Sequence, residues 1–224
     1  MNDLHQLLPL AMGMLLSPLP VVAVVAILLA PRGRASAPVY TAAFTLASLA
    51  VIALGAATSA QASASDGPGA RLVSLVIAVA MTLGFSVLAV VSWRSRPAPG
   101  TPPVAPAWLA AIDGVTPLSA AGLGLLMAVA NSKNIPLALK GGALIGEAHL
   151  PLAAAAGLCV ALAVAGSSLL ILPAVLELTG SRRVRAALAR LKEDLVAHNA
   201  AMMTVLFAIL AATEAAHVVH RLVT

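Results

Sequence analysis

The chain has 224 residues, 61% of them apolar and only 9% charged, and a mean hydropathy of +1.01. Soluble domains run about 45–50% apolar and about 25% charged. This composition therefore excludes a soluble globular enzyme, a disordered tail and a nucleic-acid binder. A helix that crosses a bilayer uses about 20 apolar residues, so six such helices with short loops would consume most of the chain.

The first apolar run, about 7–30, follows only Asp3 and His5. It lacks a basic leader and is long for a signal-peptide core, so it reads as a retained transmembrane helix. Runs two and three cover about 39–60 and 72–91. Run four extends from about 118 to 145 and is interrupted by Asn131-Ser-Lys-Asn-Ile-Pro136. Runs five and six cover about 150–176 and 195–219. Between runs three and four, segment 93–117 holds six prolines (97, 99, 102, 103, 106 and 117), which favour extended chain over helix. Gly180–Asp194 carries five basic residues at Ala/Leu spacing and reads as a short amphipathic helix at the membrane surface. Cys159 is the single cysteine and sits in an apolar run, where a thiol behaves as a small buried hydrophobe.

Lysine and arginine fix the expected orientation. Loops one (Arg32, Arg34), three (Arg94, Arg96) and five (Arg182, Arg183, Arg185, Arg190, Lys192) hold nine, against Arg71 and Arg221 on the other side. The basic side should be cytoplasmic, with both termini outside a plasma membrane. The expected fold is an all-α integral membrane protein of six transmembrane helices in two inverted three-helix repeats, 1–92 and 118–224, joined by the proline-rich loop 93–117. Inverted repeats commonly place a site at the midplane between them.

Two interruptions could carry that site. Ser17-Pro18-Leu19-Pro20 places two prolines inside an apolar helix, where each removes a backbone donor. In lipid the freed carbonyls need another partner, so this break is either a packing kink or unwound backbone lining a cavity. Asn131, Ser132, Lys133 and Asn134, followed by Pro136, form the second. Lys133 lies about 20 Å into run four at 1.5 Å per residue, well inside a core about 30 Å thick. A lysine there is costly unless it faces protein or water. Its ammonium is expected either to hold an anionic head group or to exchange protons during transport. Secondary candidates are Lys140, which could snorkel to the surface; Asp113, which could cap run four; His198 and Asn199 at the start of run six; and Glu214, which could pair with Lys140 or meet water. Glu147 and His149 read as outer-loop residues, and Gly142 and Gly146 have helix-packing spacing.

No metalloprotease, nucleophile-elbow or P-loop motif is present, so neither an enzyme nor a cofactor is expected. The expected partners are membrane lipids, a larger lipid exporter or a second copy of the chain, and not nucleic acid.

Ala111-Ile-Asp-Gly-Val-Thr-Pro117, then Gly122-Leu-Gly-Leu-Leu-Met-Ala-Val-Ala-Asn-Ser-Lys-Asn134, and later His198-Asn-Ala-Ala-Met-Met-Thr-Val-Leu206 resemble the GAP family of actinobacterial membrane proteins. It is also called the Sap or sulfolipid-addressing family and is grouped with the lysine-exporter superfamily. The resemblance extends from Gly13-Met-Leu-Leu-Ser-Pro-Leu-Pro20 through run six. The family pattern at the central break is Asn-Pro-Lys-Asn. Here Ser132 replaces the proline and Pro136 follows two residues after Asn134. The resemblance implies a six-span protein associated with moving glycolipids or their precursors to the cell envelope, and the leading expectation is a transporter or transport accessory that works by alternating access around a midplane site. The alternatives are an exporter of small polar solutes, such as amino acids or cations, and a non-transporting scaffold for a larger lipid exporter.

Overall fold

The computed structural model describes residues 3–62, 68–96, 112, 114–129, 131, 133–177 and 179–223, and among these all regular structure is helical. A short 3-10 turn, Asp3–Gln6, leads into α1 (Leu7–Leu15), and α2 (Pro18–Leu29) follows after a bend of 52°. The break falls where proline chemistry demands it. A residue before proline is pushed out of the α region, and Ser17 is extended at φ −107°, ψ 97°. Pro18 and Pro20 occupy the first turn of α2, where their missing N–H groups cost nothing. They start a helix rather than interrupt one. α2 is apolar on every side, and Val21–Leu28 are all buried.

The remaining helices are α3 (Gly33–Ala62), α4 (Pro68–Arg94), α5 (Pro117–Val129), α6 (Asn134–Glu147), α7 (Leu152–Gly166), α8 (Ser168–Glu177) and α9 (Arg182–Val223). Two expectations are corrected here. Run five is not one helix, because it bends by 64° at Ser167 between α7 and α8. The basic segment and run six are not separate, because α9 is one helix of 42 residues. A charged face followed by an apolar one changes the solvent that a helix needs, not its backbone.

Gly33–Ala60 and Arg182–Ala216 are long and apolar enough to cross a membrane. Counting each bent pair (α1 with α2, α7 with α8) as one span gives up to four among the described residues. Val79–Arg94 and Pro117–Val129 are apolar but shorter. Large apolar side chains face outward along several helices, including Leu46, Leu83, Leu118 and Leu152 at 64%, 62%, 85% and 86% exposure. In water such a surface would associate; in lipid it is the solvated face.

Contacts divide the chain into two compact units, 1–60 with 103–197 and 61–102 with 198–224. In the second, Phe85 and Phe207 stack at 6.1 Å between ring centroids. In the first, α1 and α2 pair in the same order with α7 and α8, so runs one and five are parallel. α1 pairs with α6 and α2 with α5, so runs one and four are antiparallel. α3 lies along run four backbone to backbone. A Cβ at Gly124 would meet the Tyr40 carbonyl, one at Gly142 the Ile52 carbonyl and one at Gly146 the Ala56 carbonyl. That order makes α3 parallel to run four. Eighteen residues of run four, 124 to 142, pass beside twelve of α3, 40 to 52, so the break spends six residues without axial advance.

Substitution of these glycines separates close packing from helix propensity. Gly142→Ala forces apart two helix backbones, a type of overpacking that costs about 1–3 kcal/mol. Gly122 has nothing within 4 Å of an added Cβ, and alanine is about 1 kcal/mol better than glycine in a helix. In detergent, the apparent Tm should fall by several degrees for Gly142→Ala and hold or rise for Gly122→Ala.

Candidate functional site

The site grows from the unsatisfied end of α1. The last carbonyls of any helix lack intrahelical donors. Leu16 N–H reaches Met12 O at 3.0 Å, while Ser17 N–H turns to Leu15 O at 2.8 Å and leaves Gly13 O behind. In a continuous helix Met14 O and Leu16 O would accept from residues 18 and 20, which are prolines without an N–H. The break thus exposes carbonyls inside a bundle where lipid supplies no donor.

Lys133 supplies it. Its Nζ donates to Gly13 O at 2.5 Å and to Leu16 O at 3.1 Å, and the side chain is fully buried. An ammonium has three donors, so one is left over. Among the described residues no carboxylate lies within ion-pair distance of it. The C-terminal end of α1 carries partial negative charge, which is the compensation the fold provides. Beside this contact, Asn131 Nδ2 donates to the buried Ser17 hydroxyl at 2.6 Å. The breaks of runs one and four therefore meet.

The chain around Lys133 is itself organised by the break. Asn134 N–H donates to Asn131 O at 3.0 Å and Leu137 N–H to Lys133 O at 3.3 Å. Pro136 sits in the first turn of α6, where it needs no donor. Asn134 is buried, and neither of its amide atoms has a hydrogen-bond partner.

The third break joins the same level. A Cβ on Gly166 would come within 3.0 Å of Met14 Cβ, so the end of α7 rests on the last turn of α1. Ser167 follows, fully buried, with its hydroxyl unpartnered. Sequence reasoning missed this residue. Its signal was Gly166-Ser167-Ser168, the kind of small-residue cluster at which helices kink. Around the three breaks the protein therefore buries one cation, an unengaged amide and an unengaged hydroxyl.

The other candidates are placed elsewhere. Lys140 is half-buried on α6, seven residues past Lys133. Glu214 is buried on α9 at 5% exposure and does not face water. His198 is exposed and Asn199 half-buried, and both belong to the second compact unit. Asp113 and Ser132 lie outside the described residues.

A bundle of apolar, broken helices with lipid-facing side chains and a cation buried at the breaks defines an all-helical membrane protein. The chain belongs to the family described as Sap, sulfolipid-1-addressing protein, whose model matches residues 7–220. No curated protein and no solved structure matches it.

The partnered and unpartnered polar atoms predict opposite stability effects. Ser17→Ala removes the acceptor of Asn131 and should cost about 1 kcal/mol. Asn134→Leu replaces an unsatisfied buried amide with an apolar group of similar size and should leave stability equal or higher. Thermal unfolding in detergent checks the pair. A large loss for Asn134→Leu would show that its amide is engaged.

Proposed function

We propose that this chain is a transport protein, not an enzyme, that carries an anionic glycolipid or its precursor across the plasma membrane, alone or as an accessory of a larger exporter. The observation that carries this reading is the Lys133 ammonium, held at the junction of three broken helices by two neutral carbonyls. Neutral acceptors and the partial charge at the end of α1 compensate its charge only in part. A sulfate or carboxylate head group would bind it more strongly than they do, because an anion adds a full charge–charge attraction that a neutral carbonyl cannot supply. Exchange of the carbonyls for the anion would release α1 from α6 and open one side of the site. The family description, which names a sulfolipid, supports an anionic lipid cargo.

The directions within the first unit support six spans in two inverted halves, 1–92 and 118–224 joined by 93–117. α3 and run four are parallel, so the chain between them must return across the membrane, and α4 is the apolar helix available. Runs one and four, the first members of the two halves, are antiparallel and both broken. Loops one, three and five contribute Arg32, Pro117 and Arg182 to one cavity. Their excess of Lys and Arg makes that end cytoplasmic, with both termini outside.

An apolar cavity of about 560 Å³ favours a lipid over a small polar solute. It opens at the other end of the unit, lined by Ala53, Ala56, Ile145, Leu152, Ala156 and Val160 among others. Such a slot suits an acyl chain and offers a polar solute little.

Reconstitution in liposomes tests the reading. Replacing Lys133 with methionine removes a buried charge and leaves two carbonyls unpaired. Both effects are worth several kcal/mol and oppose each other. Lys133→Met should therefore insert and fold, yet lose at least ~10-fold in transfer of a sulfated glycolipid between leaflets, the loss of roughly 1.4 kcal/mol of transition-state stabilisation. Lys133→Arg keeps the charge but cannot release a proton, so it should retain part of the activity if the ammonium holds an anion and none if it cycles protons. Normal transport by well-folded Lys133→Met would make Lys133 a structural residue. No transfer by the wild-type chain alone would assign it to a larger exporter.

A further inference from the structure

We infer that the cavity at the basic end of the first unit is a second anion site, built to hold a phosphate or sulfate monoester. This deepens the transport reading by giving the head group of the cargo a docking place before it reaches Lys133. Binding there can nevertheless be measured without transport.

Two glycines shape the cavity. Gly33 closes the turn after α2 so tightly that a Cβ would overlap the Ile27 and Leu28 carbonyls. That turn presents Arg32 and Arg34 on either side of it. Across the cavity, Gly180 ends the α8 turn at φ +65°, a conformation that glycine adopts freely. The Arg34 guanidinium passes 3.1 Å from where a Cβ of residue 180 would stand, so a side chain there would crowd Arg34. Arg182 opens α9, and Arg185 one turn later is anchored by Nε to the buried Glu177 carboxylate at 2.7 Å. The Arg185 side chain remains 51% exposed.

The cavity opens to the surface and holds about 750 Å³, lined by all four arginines together with Pro117 and Gly180. This lies within the range of about 300–1,000 Å³ typical of small-molecule sites, enough for a charged group attached to a sugar. Gly33, Pro117 and Arg182 are the first residues of α3, α5 and α9. Three helix N-termini, with their partial positive charge, thus open on the same space as the arginines. Against four guanidiniums the described residues place one carboxylate, Glu177, and it is committed to Arg185. Arginine forks match the paired oxygens of phosphate and sulfate, and recognise them bidentately. Among the described residues only Arg185 of the four has an ion-pair partner, so Arg32, Arg34 and Arg182 face the cavity without a carboxylate, and an anion would complete the site.

The test uses the full chain in nanodiscs of neutral phosphatidylcholine. Two probes are titrated: inorganic sulfate or phosphate, and a sulfated galactosylceramide incorporated into the disc. At least one should bind saturably and weaken with added salt. Saturation by the free ions assigns a soluble anion, whereas saturation by the lipid alone assigns a head group. The paired substitution Arg34→Gln with Arg182→Gln should weaken binding at least tenfold. Arg94→Gln with Arg96→Gln, which removes two basic residues that do not line the cavity, should leave binding within twofold. The comparison is repeated in the Lys133→Met background, where any binding left belongs to the cavity. Absence of saturable binding by either probe overturns the inference. So does equal loss in the two arginine pairs, which would reduce the effect to general surface charge. If the cavity variants bind normally while Lys133→Met fails to transport, the cavity assignment fails and the Lys133 reading stands.

Discussion

Two backbone carbonyls at the end of α1, Gly13 O and Leu16 O, have no helical donor, and one ammonium satisfies both. The rest of the first unit is arranged around that contact. Pro18 and Pro20 create the need by removing N–H groups, and their own place in the first turn of α2 keeps the new helix free of penalty. Lys133 meets the need from run four, whose break lies against the break in run one. Met14 against Gly166 seats the third break at the same level.

Stability alone does not account for this arrangement. Burial of an ammonium costs several kcal/mol even after relaxation, and two carbonyls return only part of that. An uninterrupted apolar helix in run one would need no lysine. Under the proposed function, the combination is a latch that a better acceptor can open. An anion that supplies full charge compensation competes with the carbonyls for the same donors, and the spare amide of Asn134 and the hydroxyl of Ser167 stand unengaged at the same breaks. The basic cavity at one end and the alanine-lined cavity at the other provide the two chemistries of an amphiphile, a charged head and a chain, within the same compact unit.

The sequence made part of this legible. Proline pairs, a lysine deep in an apolar run and the Lys/Arg bias are local signals with local causes, and they located the breaks at Ser17 and Lys133. Gly142 and Gly146 announced close helix packing, but their partner, the Ile52–Ala56 stretch of α3, depended on tertiary structure. Ser167 was hidden because Gly-Ser-Ser in an alanine-rich helix is only a weak kink signal, and the proline nearby, Pro173, lies six residues later. The fusion of the basic segment with run six into α9 went unseen because Arg, Leu, Ala and Glu all favour helix, so the change of solvent left no mark on the backbone. The charges of Arg32, Arg34, Arg182 and Arg185 were counted correctly, yet their convergence on one cavity spans about 150 residues of sequence and no spacing rule reports it.

Backbone hydrogen exchange of the full chain in lipid nanodiscs, comparing wild type with Lys133→Met over residues 10–22, tests the central claim most directly. The account predicts that loss of the ammonium loosens the α1–α2 junction, so that amides from Leu16 to Val22 exchange roughly tenfold faster while those of α3 beside Gly142 are unchanged. Exchange at Leu16–Val22 that is the same in both proteins would show that the break does not depend on Lys133, and would contradict the account.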